Sequence, residues 1–483
     1  MCNLNPAQLQ AAHAPAQQAL YLRAGAGTGK TKTLIERLLY LASQVAPAKL
    51  LVLVFNRQAR AEIRTRCRAF STQVFTFHSF CLRLLQQHGQ HLPLPYASSF
   101  TFMTPFQQDE WLKQALGSAG LSRYQSSLPA LKAYLAKFKK GLIATPLWDK
   151  RPAWKVFWQT YSHLCHQAQV LDFDDLTFYS YYLLRHHPPL LAAYQQQYSH
   201  ILVDEGQDLD YYQTQLLRLL GRQSILFLVG DPYQNIYGFR GSLATYMTRL
   251  ATDLKLRAYA LTTNYRSGAA IIAKANALLP ATAALTAVNP HPGVVVYQAC
   301  ADPTQEAAYV LQQLQTLVTR DGYQYHQIAI LARKHFVLTT ITTALERAHI
   351  PYHRLASPSG PPLTTPSAPS AAPAPLAATA QQLVTQLWSS PSPSPPPSSS
   401  LVLASIHQVK GLEFKVVFLL GCEQPTWLNP LLAVVNLAEE RRLAYVAVTR
   451  AQDQLFLTSV RRRPSLTQPA RLKPLTFLKE MGF

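Results

Sequence analysis

Acidic side chains are scarce in this sequence. Asp and Glu number 24 against 45 Lys and Arg over 483 residues, a formal charge of +21. Such an imbalance favours a polyanion, either nucleic acid or an anionic membrane surface. Long apolar runs are also missing. None approaches the ~20 residues that span a bilayer, which removes the membrane-inserted option. The opening MCNLNPAQLQ lacks the basic-then-apolar pattern of a secretory leader. Cysteine is sparse, with six residues at 2, 67, 81, 165, 300 and 422 and no CxxC spacing. That pattern predicts free thiols in a reducing cytoplasm, with neither a structural zinc nor an iron–sulfur cluster.

What is present is enough apolar material for sizeable cores: 48% of residues are hydrophobic, over a length that suits two to four domains. Short apolar runs bounded by turn residues recur at 20–22, 50–55, 201–203, 225–229, 259–261, 294–297, 328–331, 401–404 and 416–420. Several lead into helical periodicity, such as Leu34, Ile35, Leu38 and Leu39 after the first. Fully apolar strands alternating with helices predict parallel sheets covered on both faces. Nine strands are too many for one nucleotide-binding unit and suit two. From about 91 to 198 longer amphipathic segments predict a helical insertion. Residues 358–400 hold 12 prolines and 10 serines without one charged side chain, which predicts a linker. Within it, Leu376, Ala380, Leu383, Val384, Leu387 and Trp388 keep the spacing of a short helix.

Residues 24–31 read AGAGTGKT, directly after the first strand and before the first helix. Glycines at 25, 27 and 29 let the backbone wrap phosphate oxygens at a helix N-terminus. Lys30 can reach the β- and γ-phosphates, and the Thr31 hydroxyl can ligate Mg²⁺. Ala24 stands where the usual pattern opens on Gly. A second apolar strand ends in acid, ILVDEGQD at 201–208. Asp204 is placed to hold Mg²⁺, and Glu205 to orient and deprotonate an attacking water.

These blocks, with others in the same order, resemble superfamily-one helicases of the UvrD/Rep type over nearly the whole chain except 358–400. LNPAQ at 4–8 is similar to the adenine-reading glutamine motif, with Gln8 the reader. AGAGTGKT is similar to Walker A, with Gly25, Ala26, Gly27, Thr28, Gly29, Lys30, Thr31 and Lys32 around the nucleotide. DEGQD is similar to Walker B. TFHSF at 76–80 resembles a single-strand-binding block, and VGDPYQNIYGFRG at 229–241 the block coupling nucleotide to DNA. NYRS at 264–267, HQVKGLEF at 407–414 and EERRLAYVAVTRA at 439–451 complete the second half.

The resemblance implies an α/β fold of two RecA-like P-loop domains. The first would occupy 1–90 and 199–253 with the insertion at 91–198, and the second 254–357 and 401–483. The linker would replace the large accessory domain of relatives. It implies ATP and Mg²⁺ as cofactors, Gln234 as γ-phosphate sensor, Tyr265 stacking adenine and Glu413 on the ribose. Arg266 and Arg450 would complete the site as fingers from the second domain. Phe77, His78, Tyr237, Phe239 and Arg240 would meet single-stranded DNA or a single/double-strand junction, with 3′→5′ polarity. A translocase that strips proteins from DNA without separating strands is one alternative. A non-hydrolysing ATP-gated DNA clamp is another.

Three departures stand out. Phe239 occupies a position where many relatives carry Trp, FNRQA at 55–59 replaces the usual TNKAA, and Gly206 replaces an aromatic or Ala and is expected to loosen its turn.

Overall fold

The computed structural model describes residues 4–55, 57–68, 73–238, 241–355, 399–428, 436–463 and 472–483. Two six-stranded sheets organise it, and every strand pairing within them is parallel. The first is built from β1 (Leu20–Ala24), β2 (Leu50–Val54), β3 (Val74–Thr76), β4 (His200–Val203), β5 (Ile225–Gly230) and β6 (Arg257–Leu261), in the order β3-β2-β4-β5-β1-β6. The second uses β7 (Val294–Cys300), β8 (Ile328–Ala332), β9 (Tyr352–Arg354), β10 (Leu401–Ser405), β11 (Phe414–Leu420) and β12 (Ala451–Val460), in the order β7-β12-β11-β8-β10-β9. These are two RecA-like domains, as the strand–helix alternation predicts. Their central strands are mostly apolar because helices cover both faces; every residue of β2, β4, β8 and β10 is buried, His200 and Ser405 included.

The expected boundary after 253 falls short. Strand β6 pairs with β1 from Leu20↔Arg257 to Ala24↔Leu261, so it closes the first sheet rather than opening the second. The insertion also divides. Its own core runs from Leu112 to Cys165, whereas Leu176, Leu183, Leu184, Tyr194 and Tyr198 pack into the core beneath the first sheet. Aromatic-rich amphipathic helices look alike in sequence whether they cover a sheet or each other, so the pattern from 91 to 198 hid this break. In the Lys30–Ala42 helix the buried stripe is Leu34, Ile35, Leu38 and Leu41, while Leu39 is 44% exposed. The Pro/Ser segment, including the helical spacing from Leu376 to Trp388, lies outside the described residues except for its last two serines.

Cys67, Cys81, Cys165, Cys300 and Cys422 are buried and unpaired. No group of His, Cys, Asp or Glu among the described residues could hold a metal through three or more ligands. No helix among them is long and apolar enough to cross a membrane.

The two domains meet along the carboxyl ends of the first sheet's strands, where open α/β sheets bind ligands. Ala26 and Ile236, from loops at that edge, belong to the same apolar cluster as Val446 and Phe414 of the second domain.

Candidate active site

Strand β1 ends at Ala24, and the chain turns through five residues into the Lys30–Ala42 helix. Gly27 and Gly29 take φ of +65° and +81°, which side chains other than glycine's rarely adopt. A Cβ at Gly27 would stand 2.6 Å from Asn264 Nδ2, and one at Gly29 2.6 Å from Gln8 Nε2. The loop is therefore bare because other parts of the chain press on it. Lys30 Nζ folds back to Ala24 O at 3.4 Å and Gly25 O at 3.3 Å, which keeps the ammonium at the loop's centre. The Thr28 hydroxyl donates to Gly25 O at 2.9 Å. Thr31 and Lys32 are half-buried on the helix's first turn.

LNPAQ earns its place by capping. Asn5 caps the Pro6–Ala12 helix, and Gln8 returns the bond: Gln8 N donates to Asn5 Oδ1 at 2.7 Å, and Asn5 N to Gln8 Oε1 at 2.9 Å. The other end of that amide donates to Thr28 O at 2.9 Å, so Gln8 is fixed against the phosphate loop.

Strand β4 carries Asp204 and Glu205 to the same edge. Thr31 Oγ1 donates to Asp204 Oδ2 at 3.2 Å, so a hydroxyl and a carboxylate share one spot. Two hard oxygen donors beside a phosphate loop are a set that fits Mg²⁺, which keeps waters and phosphate oxygens as its other ligands. Burial and the charge of Glu205 push the Asp204 carboxyl up to about 7. Burial acts the same way on Glu205, but the attraction of Lys30 and Lys410 and the Gln207 hydrogen bond outweigh it and hold the group below its ordinary value. Glu205 sits at φ 52°, a conformation uncommon for a non-glycine residue, which turns its side chain out of the strand.

Behind it, Gln207 Nε2 donates to Glu205 Oε2, and Gln207 Oε1 accepts from Asp231 N at 2.9 Å. Gln234 Nε2 donates to Asp231 Oδ2 at 2.8 Å. This chain of bonds links the ends of β4 and β5. Gly206 does not loosen its turn. A Cβ there would meet Leu228 Cδ1 at 2.6 Å and Met247 Sδ at 3.1 Å, so the glycine lets the turn pack close to β5.

The second domain supplies the opposite wall. Asn264 Nδ2 donates to Ala26 O at 2.6 Å, and Tyr265 N to Gly27 O at 2.9 Å. The Tyr265 ring is 45% exposed, and its hydroxyl accepts from Asn5 Nδ2 at 2.7 Å. Arg266 forms an ion pair with Glu413 at 2.5 Å and donates to Thr449 O at 3.3 Å. Arg450 is buried and donates to Val446 O and Leu412 O, both at 3.0 Å. Burial, then the neighbouring Arg266 charge, lower its pKa to about 9. The two guanidiniums thus lie near enough to repel, and Arg450, held only by neutral acceptors, also feels the charge of Glu205, an arrangement that suits added negative charge.

The residues expected at nucleic acid divide. Phe77 is 3% exposed in the core beneath the first sheet, so its ring packs against protein and is not a stacking surface. It begins a helix whose apolar stripe also includes Phe80, Cys81 and Leu84. His78, next along, is half-buried. Tyr237 is half-buried and stacks on Phe55, with ring centroids 5.5 Å apart at 18°. Phe239 and Arg240 lie outside the described residues.

Sequence reasoning missed Lys410, Asp208 and Tyr445. Lys410 Nζ donates to Asp208 Oδ1 at 2.6 Å and Oδ2 at 2.5 Å, across 202 residues of sequence. Tyr445 OH accepts from Ala26 N at 3.0 Å. All three lie within motif blocks already singled out, but nothing local marks a lysine or tyrosine as reaching the other domain.

Comparison with known proteins agrees with this geometry. Residues 4–255 match the UvrD/REP helicase N-terminal domain, and residues 259–357 and 385–462 the UvrD-like helicase C-terminal domain. The match resumes at 385, inside the segment expected to be linker. Among curated proteins, the chain is 29% identical over 471 residues to a probable DNA helicase of Mycoplasma pneumoniae, covering 90% of this chain and 79% of that protein. It is 30% identical over 375 residues to DNA helicase II of Haemophilus influenzae, covering 72% of this chain and 51% of the relative. It is 28% identical over 356 residues to the ATP-dependent DNA helicase PcrA of Leuconostoc citreum, covering 69% and 47%. The chain thus spans about half the length of the last two.

Proposed function

This chain belongs to the UvrD/Rep helicase family, and from that premise we propose that it is an ATP-driven motor moving 3′→5′ along single-stranded DNA and separating strands at junctions. What supports the reading is Thr31 paired with Asp204 beside Lys30 and Glu205 in one domain, and Asn264 and Tyr265 of the other, next to Arg266, bonded to the phosphate loop. A site divided in this way performs chemistry only when the cleft is closed, and that ties hydrolysis to domain movement.

In this mechanism the phosphate loop and Lys30 hold the β- and γ-phosphates. Tyr265 stacks on adenine beside Gln8, and Glu413 meets the ribose. Thr31 and Asp204 would hold Mg²⁺, which when bound would supply charge neutralisation on the phosphate oxygens. Glu205 takes a proton from the attacking water as its oxygen bonds to the γ-phosphorus, and the bond from that phosphorus to the β–γ bridging oxygen breaks. The lowered pKa of Glu205 keeps it ionised to accept that proton. Gln234 orients the water, while Arg266 and Arg450 stabilise charge on the transferring phosphoryl group. The polarity and the preference for DNA over RNA rest on the family likeness.

Phosphate release measured without nucleic acid and with single-stranded DNA, duplex DNA or RNA tests the reading. Strong stimulation by single-stranded DNA, together with strand displacement from a 3′-tailed duplex, is the expected result. Protein displacement without strand separation would favour a stripping translocase. Absence of turnover under all conditions would favour a gated clamp.

A further inference from the structure

The turn that follows β10 reaches across the cleft with a single ammonium group. Lys410 Nζ has three protons, and the structure provides three acceptor oxygens: Asp208 Oδ1 at 2.6 Å, Asp208 Oδ2 at 2.5 Å and Gln234 O at 2.8 Å. The same ammonium stands 4.8 Å from the centre of the Tyr237 ring, close enough for a cation–π contact. Its side chain is 7% exposed and that of Asp208 0%, so the ion pair lies away from water. Burial raises the Asp208 carboxyl to about 6 although Lys410 lowers it, so the acid depends on its partner to stay ionised.

Each partner comes from a different part of the first domain's working edge. Asp208 closes the turn that Glu205 opens, and Asp208 N donates to Glu205 O at 3.0 Å. Gln234 ends the turn after β5, and Tyr237 begins the loop toward the proposed DNA contact. On its own side Lys410 is fixed by Val409, fully buried in the second domain's core. The same turn then holds both fingers: Leu412 O accepts from Arg450 Nη1 at 3.0 Å, and Glu413 pairs with Arg266.

We propose that Lys410 is the positioning residue through which single-stranded DNA controls hydrolysis: a clamp joining the Tyr237 loop and the Gln234 turn to the segment that holds Arg266 and Arg450. The proposal rests on the motor reading above. A strand engaging Tyr237 moves a ring in contact with the ammonium. Lys410 cannot shift without changing its hold on Gln234 and on the turn that carries the fingers' partners. Because the pair is buried, intermediate positions leave a carboxylate without a partner, so the clamp favours one closed arrangement over a graded series.

The test uses the full chain and four proteins: wild type, Lys410→Met, Asp208→Asn, and the double variant. ATP turnover is measured with and without oligodeoxythymidine, alongside melting temperature. Lys410→Met should lower the DNA-stimulated kcat at least tenfold while KM for ATP stays within threefold, bringing the stimulation ratio near one. Asp208→Asn should do the same. The double variant, which leaves no buried charge without a partner, should recover the melting temperature but not the stimulation. Recovery of both in the double variant would reduce the pair to a structural contact and overturn the clamp alone. Stimulation within threefold of wild type in a folded Lys410→Met chain would do likewise. A wild-type chain with no DNA-stimulated turnover overturns the motor reading and the clamp together.

Discussion

Tyr445, on the Leu437–Val448 helix of the second domain, accepts a hydrogen bond from the Ala26 N–H of the phosphate loop at 3.0 Å. Its hydroxyl also donates to Asp231 Oδ2 at 3.3 Å, and the ring is 1% exposed. Tyr445→Phe keeps the packing but leaves a buried amide without a partner and removes one donor to a buried carboxylate. The expected loss is about 1–3 kcal/mol, visible as a lower melting temperature. An unchanged melting temperature would show that this bridge contributes nothing to holding the domains together.

Asp204 lies near 7 rather than 3.8, because burial and the Glu205 charge disfavour its ionised form. Across that interval the folded chain binds more protons than the unfolded one, so this residue lowers stability progressively as pH rises. Asp204→Asn removes that cost. In EDTA at about pH 8 the variant should be more stable than wild type, on the order of 1–3 kcal/mol, with the gain fading near pH 4. Melting curves at both pH values check it; a variant less stable at the higher pH contradicts the buried-carboxylate account.

Glu205→Gln should retain ATP and single-strand binding while turnover falls by several orders of magnitude. The charge of Asp204 and its bond to Thr31 remain, and only the proton acceptor is lost. Lys30→Ala should abolish turnover as well, through loss of the ammonium at the loop's centre. Phosphate release within tenfold of wild type for either variant would remove these residues from the site.

Much of this arrangement was legible in the sequence, for a physical reason. Phosphate binding requires glycines at fixed spacing before a helix, and buried parallel strands require unbroken apolar runs, so both leave local marks. Capping does too, and Asn5-Pro6-Ala7-Gln8 folds as its residue types dictate. What sequence could not supply is which side chains cross the cleft. Lys410 and Tyr445 have the same local appearance as a surface lysine and a core tyrosine. Phe77 misled in the opposite sense, because a ring beside a polar His and Ser suits a stacking platform or the first residue of a buried stripe equally well. Strand β6 was assigned across the domain boundary because parallel pairing with β1 is a long-range choice that an apolar run does not encode.

Arg450 is held by Val446 O and Leu412 O, with Arg266 rather than a carboxylate as the largest charged influence on it. Its charge is therefore available to a transition state. Arg450→Ala should reduce ATP turnover by ~10³ or more, while single-strand affinity without nucleotide changes by less than ~1 kcal/mol. Arg450→Lys should restore little, since one ammonium cannot reproduce the planar fork that spans both carbonyls. Equal losses in turnover and DNA affinity would instead mark Arg450 as a DNA contact or a folding determinant, and circular dichroism would separate those two.

In the proposed motor the +21 charge and the aromatic loop would act on DNA through different physics, and salt separates them. Each phosphate neutralised on a single strand releases counterions, which gives a slope of about −0.7 in log affinity against log salt. Stacking on a ring releases few. Tyr237 rests face to face on Phe55 with the Lys410 ammonium 4.8 Å from its ring centre, and Phe239 follows two residues later. Tyr237→Ala and Phe239→Ala should each weaken binding by ~1–3 kcal/mol and leave the salt slope nearly unchanged. Replacing surface lysines or arginines along the strand's path should do the opposite, flattening the slope by close to one contact each. The measurement is fluorescence anisotropy of a labelled oligothymidine across a salt series. A wild-type slope near zero would mean that the basic surface serves another partner. A slope that flattens in the aromatic variants would mean that these rings position the cations rather than stack on bases.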